Sequence, residues 1–147
     1  MSLDSINSKI LRCLQQNARL SNAEIGRQVG ISSPAVSERI KKMEDLGIIE
    51  GYKTIVSPFE IGYQLKAIIT LRAFMGKLKP FLEKVKTYDE VINCYRITGD
   101  ENIVMEVVLK NQKHLEAFID QLISYGESKT QIVLSRVVKQ KEVIPIK

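Results

Sequence analysis

"SNAEIGRQVGISSPAVSERIKKMEDLG", residues 21–47, holds two helical patterns separated by a short turn. Ser21 followed three residues later by Glu24 is a capping box, in which hydroxyl and carboxylate satisfy the free N–H groups of a first helical turn. Ile25 and Val29 recur at i and i+4, and Gly30 closes the segment with the left-handed backbone that commonly ends helices. Ser32 or Ser33 can cap a second helix, and Pro34 suits its start, where a missing N–H leaves no acceptor unpaired. Val36, Ile40, Met43 and Leu46 form its expected buried stripe, and Gly47 ends it. Helix, tight turn, helix is the layout of a helix-turn-helix.

Working outward, "DSINSKILRCLQQN" (4–17) places Ile6, Ile10, Cys13 and Leu14 on one face behind Asp4 as N-cap, which predicts a preceding helix. On the other side, "IIEGYKTIVS" (48–57) alternates and predicts a short β-ribbon turning near Gly51. Pro58 and Gly62 punctuate an ordered connector, "SPFEIGYQ" (57–64). Beyond it the periods alternate: strand 65–74, helix 77–88, strands 91–98 and 103–110 joined by "GDEN", helix 112–125 and strand 130–139. This βαββαβ order predicts a ferredoxin-like, four-stranded antiparallel sheet with both helices on one face. The fold class is therefore α+β, with a winged helix-turn-helix over 1–56, a connector over 57–64 and a ferredoxin-like domain over 65–147.

In the first and third strands Ile68, Phe74, Val104 and Val108 add apolar residues to the side opposite the core. Strands apolar on both sides are covered on both sides, so the second sheet face is expected to meet another copy in a homodimer that associates further.

The composition, 44% apolar and 27% charged over 147 residues, is that of a globular protein. No apolar run reaches the roughly 18 residues of a membrane span, and "MSLDSINSK" lacks the basic-then-apolar order of a signal peptide, so a cytoplasmic protein without membrane contact is expected. Cys13, Cys94 and His114 lie far apart without metal-ligand spacing, and "GDENIV" is no phosphate loop, so no metal, cofactor or enzymatic activity is expected. The formal net charge is +5, but residues 1–53 carry eight basic side chains against six acidic ones. Charge lends little support to a polyanionic partner; the geometry has to carry it.

A helix that enters a major groove needs small or hydrogen-bonding side chains on its first turns, and Ser33, Ala35, Ser37 and Glu38 meet that need. Arg39, Lys41 and Lys42 on the same helix, Arg27 on the one before and Lys53 in the ribbon supply cations for phosphates. Glu38 would repel phosphate and is assigned to accept from a cytosine amino group. Double-stranded DNA is the expected partner; a small-molecule-binding oligomer with little DNA affinity is the alternative.

The opening "LD.I...IL..LQ.NAR.SNAEI", the "GIS.PAV..RI..ME..GII.GY" core, the "SP..IGY" connector and "YRITGDENIVMEV" resemble the Lrp/AsnC, or feast/famine, family of transcriptional regulators. The resemblance implies DNA binding through the winged helix by dimers that assemble, often as octamers of four dimers, through the α+β domains. It puts the recognition helix on Ser33 to Met43, with Ser37, Arg39 and Lys41 as DNA contacts. A small effector, commonly an amino acid, then falls at Thr98, Gly99, Asp100 and Asn102. Family members with amino-acid effectors commonly carry an aromatic and an aspartate after "TGD", where this chain has Glu101 and Asn102. An amide is a weaker partner than a carboxylate for a ligand's ammonium group.

Overall fold

A computed structural model describes residues 3–146, which form two compact units. The first comprises residues 3–55 together with 138–146, and the second residues 56–137. Described residues 138–146 pack on the first helix, because side chains there bind their backbone and their one carboxylate.

In the first unit α1 (Ser5–Gln16), α2 (Asn22–Val29) and α3 (Ser33–Asp45) surround a core of Ile10, Cys13, Ile25, Val36 and Met43. Each helix starts as the sequence predicts. Asp4 accepts from the Asn7 N–H at 2.7 Å, Ser21 and Glu24 form the reciprocal capping box, and Ser32 accepts from the Ala35 N–H at 3.4 Å. The turn between α2 and α3 folds back onto α2, with the Gly30 and Ile31 N–H groups both donating to the Gly26 carbonyl at 2.8 and 3.1 Å. Gly26 is buried at this crossing, and a Cβ there would stand 2.5 Å from the Ile31 carbonyl oxygen. The Cys13 thiol donates to Gln28 Oε1 at 3.3 Å, tying α1 to α2 as a structural residue.

Two expectations fail here. Leu46 is 51% exposed, because it caps α3 beyond the last packed turn instead of continuing the stripe. The ribbon over 48–57 does not form: no strand is present there, and Gly51 to Val56 are exposed. The Ile48 and Ile49 N–H groups both donate to the Met43 carbonyl, at 2.8 and 3.2 Å, so the first two donors of the expected arm go to the helix end instead of a partner strand.

The second unit is the βαββαβ arrangement. The strands β1 (Leu65–Ala73), β2 (Val91–Arg96), β3 (Ile103–Leu109) and β4 (Gly126–Ile132) form one antiparallel sheet in the order β2-β3-β1-β4. The helices α4 (Leu78–Lys84), continued by a 3-10 turn to Thr87, and α5 (Gln112–Leu122) cover one face. Their Phe81, Phe118 and Leu122 pack on Ala67, Ile69, Leu71, Ile103, Met105, Val107 and Leu109, the alternate residues of the two central strands.

Here the last strand departs from expectation by starting at the polar "GESK" and ending at Ile132, so the apolar alternation of 133–139 lies outside the sheet. Pairing with β1 decides this: Gly126 faces Ala73 so closely that a Cβ would lie 2.3 Å from the Arg72 carbonyl oxygen. The opposite sheet face carries Ile68 and Val104, both half-buried, around a polar pair in which Lys66 Nζ lies 3.3 Å from Glu106 Oε1 and Asn93 donates to Glu106 at 2.6 Å. Among the described residues no helix is long and apolar enough to cross a membrane.

Candidate functional site

The outer face of α3 follows from its burial pattern. Val36, Ile40 and Met43 turn inward, so Ser33, Pro34, Ser37, Glu38, Lys41 and Lys42 are exposed on the other side. The first two turns present only hydroxyls, a proline ring and one carboxylate, and the cations follow a turn later. The helix end is fixed rather than frayed, because Ser32 caps it and the Gly26 crossing holds the turn. Arg27 is exposed on α2 and Lys53 in the extended segment after α3.

Arg39 does not belong to this face. At i+3 from Val36 and i−4 from Met43 it lies on the flank of the buried stripe, and its Nη1 donates to Asp4 Oδ2 at 2.6 Å and Asn7 Oδ1 at 2.9 Å. Its side chain is 33% exposed. The guanidinium is a strut between the recognition helix and the start of α1.

The Asn7 N–H and the Arg39 guanidinium hold the Asp4 carboxyl below its ordinary value of 3.8. A carboxylate with a depressed folded value stabilises the fold above the ordinary value and loses that contribution as pH falls through the depressed one. Arg39→Ala is therefore expected to lower the melting temperature of the helical unit at neutral pH and to narrow the gap between melts at neutral pH and below 3.8. Thermal melts across that range, compared with wild type, check both.

A second feature lies in the sheet unit. A cleft of about 540 Å³ opens at the β2–β3 hairpin and is lined by Thr98, Gly99 and Asp100, three of the four residues singled out in the sequence. Arg72 from β1 and Glu127 and Lys129 from β4 complete it, together with Glu101. The lining is charged and paired: Arg72 Nη2 lies 2.5 Å from Glu127 Oε2, and Lys129 meets Glu101. The bond from Lys129 holds the Glu101 carboxyl below the usual range. Such a lining offers cations and carboxylates side by side, which suits a ligand carrying both charges.

Asn102, the fourth residue, does not line the cleft. Its side-chain oxygen accepts from the Ala73 N–H at 3.1 Å and its own N–H donates to the Leu71 carbonyl at 3.2 Å, so it closes the end of β1. The sequence reading missed Arg72, Glu127 and Lys129. Nothing marks them locally, because only the register Arg72↔Glu127 and Thr70↔Lys129 brings β4 beside the hairpin.

His114 is a structural residue. Its Nδ1 accepts from the Lys110 N–H at 3.1 Å and its Nε2 lies 2.9 Å from Glu90 Oε1, with the ring 24% exposed. Burial pushes the Glu90 carboxyl up, but the bond to His114, a backbone hydrogen bond and the nearby basic side chains of His114 and Lys110 together outweigh it and leave Glu90 below its ordinary value. The helix cap is Asn111, whose side chain accepts from the His114 N–H at 2.9 Å. Cys13 and Cys94 are free thiols, and no cluster of side chains able to hold a metal occurs among the described residues.

Comparison with known proteins agrees with both units. Residues 3–50 match the family model of a winged helix-turn-helix DNA-binding domain, and residues 66–143 that of the Lrp/AsnC ligand-binding domain. The chain is 36% identical to the HTH-type transcriptional regulator Ptr1 of Methanocaldococcus jannaschii, over 98% of this chain and 99% of that one. Its fold superposes on Bacillus subtilis LrpC with a TM-score of 0.89 at 28% identity, covering 94% of this chain and 99% of the other. A transcriptional regulator of Neisseria meningitidis, solved as its L-Met complex, also gives 0.89 at 28% identity, covering 94% of both chains. The chain belongs to the Lrp/AsnC family of helix-turn-helix transcriptional regulators, DNA-binding proteins with a ligand-binding domain and not enzymes.

Proposed function

We propose that the chain recognises specific sites in double-stranded DNA in the cytoplasm through the outer face of α3. Ser33, Ser37 and Glu38 then meet base edges, while Lys41 and Lys42, with Arg27 and Lys53, hold phosphates. The observation that carries this is the division of labour on one helix: Val36, Ile40 and Met43 take the core, and a first turn without bulky side chains stays exposed. The cleft at Thr98–Asp100 takes a small effector with ammonium and carboxylate groups, an amino acid, between the charges of Arg72, Lys129, Asp100 and Glu127. Two copies cover the open sheet face of each other around Ile68 and Val104, and four such dimers form an octamer. The L-Met complex of the Neisseria relative supports the effector class.

A gel shift with the DNA upstream of the chain's own coding region, across a salt series, tests the DNA contact. The logarithm of the binding constant is expected to fall linearly with the logarithm of salt concentration, and Lys41→Ala to reduce the slope by about 0.9 if it holds one phosphate. Absence of binding at low salt to any genomic fragment would overturn the proposal. Calorimetry that then showed amino-acid binding would favour a small-molecule-binding oligomer instead.

A further inference from the structure

Residues 138–146 follow the sheet unit in sequence but pack with the helical unit, so the chain passes between the two units twice, at 55–56 and at 137–138. Three side chains at i, i+3 and i+4 on the outer face of α1 hold them: Arg12, Gln15 and Gln16. The Gln15 amide brackets Val143, donating to its carbonyl oxygen at 3.1 Å and accepting from its N–H at 2.9 Å, as a neighbouring strand would. Gln16 donates to Glu142 Oε1 at 2.8 Å and Arg12 Nε lies 3.4 Å from Glu142 Oε2, so both oxygens of that carboxylate are engaged. Glu142 is the only acidic residue after Glu127, which gives the docking a single register.

These contacts are polar, and Val143 and Ile144 stay exposed, so the docked segment is held by individually weak hydrogen bonds rather than by a buried core. It is therefore able to let go while both units remain folded. The two ends of this segment's connections matter. Upstream of it β4 supplies Glu127, Ser128 and Lys129 to the charged cleft, and α1 itself holds Arg39 of α3 through Asp4 and Asn7.

We propose that residues 138–146 are a strap, a second tether by which the ligand-binding unit restrains α1 and the recognition helix braced on it. With the strap docked, the DNA-binding unit has less orientational freedom to lose on binding, and release of the strap weakens DNA binding without touching a DNA contact. The inference rests on the reading of α3 as the DNA-contacting helix.

The test uses the full chain with Gln15→Ala, Glu142→Ala and the two combined; alanine favours the helix at position 15, so α1 persists. Hydrogen exchange should find the Val143 amide protected in wild type and unprotected in all three variants. On the same upstream DNA fragment each single variant should bind about fivefold more weakly, and the double variant no more weakly than either single, with the salt slope unchanged. An exposed Val143 amide in wild type, unchanged DNA affinity once protection is lost, or losses that multiply in the double variant would each overturn the strap. A wild-type protein that binds no DNA would overturn the reading of α3 and the strap's role with it, a result distinct from loss of the strap alone.

Discussion

Gly26→Ala is expected to destabilise the helical unit by about 3 kcal/mol or more, although alanine is the better helix former by about 1 kcal/mol. The added Cβ would lie 2.5 Å from the Ile31 carbonyl oxygen, a backbone atom that no rotamer change can move. That carbonyl belongs to the turn whose Gly30 and Ile31 N–H groups are anchored on the Gly26 carbonyl, so relief requires the turn to lift and α3 to leave Val36 and Met43 unpacked. Methyl resonances of Ile10 and Ile25 report the helical core, and those of Ile69 and Ile103 the sheet core. The variant should lose dispersion in the first pair on mild warming while keeping it in the second, and should stop binding DNA at the same temperature. Wild-type stability in this variant would mean that the turn does not cross α2 at Gly26.

The converse is expected of Phe118→Ala. Phe118 is fully buried between α5 and the sheet, and its ring meets Tyr88 edge-on with centroids 5.3 Å apart. Truncation removes that contact and leaves a cavity in the core of the sheet unit, at a cost of about 3–5 kcal/mol. Urea unfolding followed at the sheet-unit methyls should show the midpoint shift, with the helical-unit methyls little affected. A cost below about 1 kcal/mol would show that the sheet unit closes around the lost ring, and would contradict the packed core described for it.

The two cores differ in how far the sequence discloses them. Within the helical unit every start signal is local: Asp4, Ser21 with Glu24, and Ser32 with Pro34 each act within one turn, and each caps the helix expected of it. Gly26 was passed over in the sequence, because the reason for a glycine there is the turn lying across it. Arg39 is a related case. Spacing places it beside the stripe, but its partners Asp4 and Asn7 are more than thirty residues away.

In the sheet unit the βαββαβ order was legible from alternation, whereas β4 was misplaced by four residues at its start. Its first half is polar, and what makes it a strand is the ladder with β1, which sequence periodicity does not encode. The candidate cleft suffers for the same reason. The hairpin half, Thr98 to Asp100, is contiguous and is marked by the family resemblance, while the β1 and β4 half depends on register. The family resemblance alone put Asn102 at the effector turn, and in the structure its side-chain oxygen accepts from the Ala73 N–H. The ribbon expected at 48–57 shows the reverse error: the residues alternate, but the first two N–H groups go to the helix end and no strand forms.

The central claim is that the exposed face of α3 selects DNA sites, and selection of bound fragments from a genomic pool tests it most directly, run with wild type and with Ser37→Ala combined with Lys41→Ala. Both substituted residues are exposed and outside the helical core, so the variant keeps its fold. Wild type should enrich one motif with two half-sites about 10 base pairs apart, and the variant should enrich it far less while melting at the same temperature. Equal enrichment by the variant, or no motif from wild type, would contradict the account.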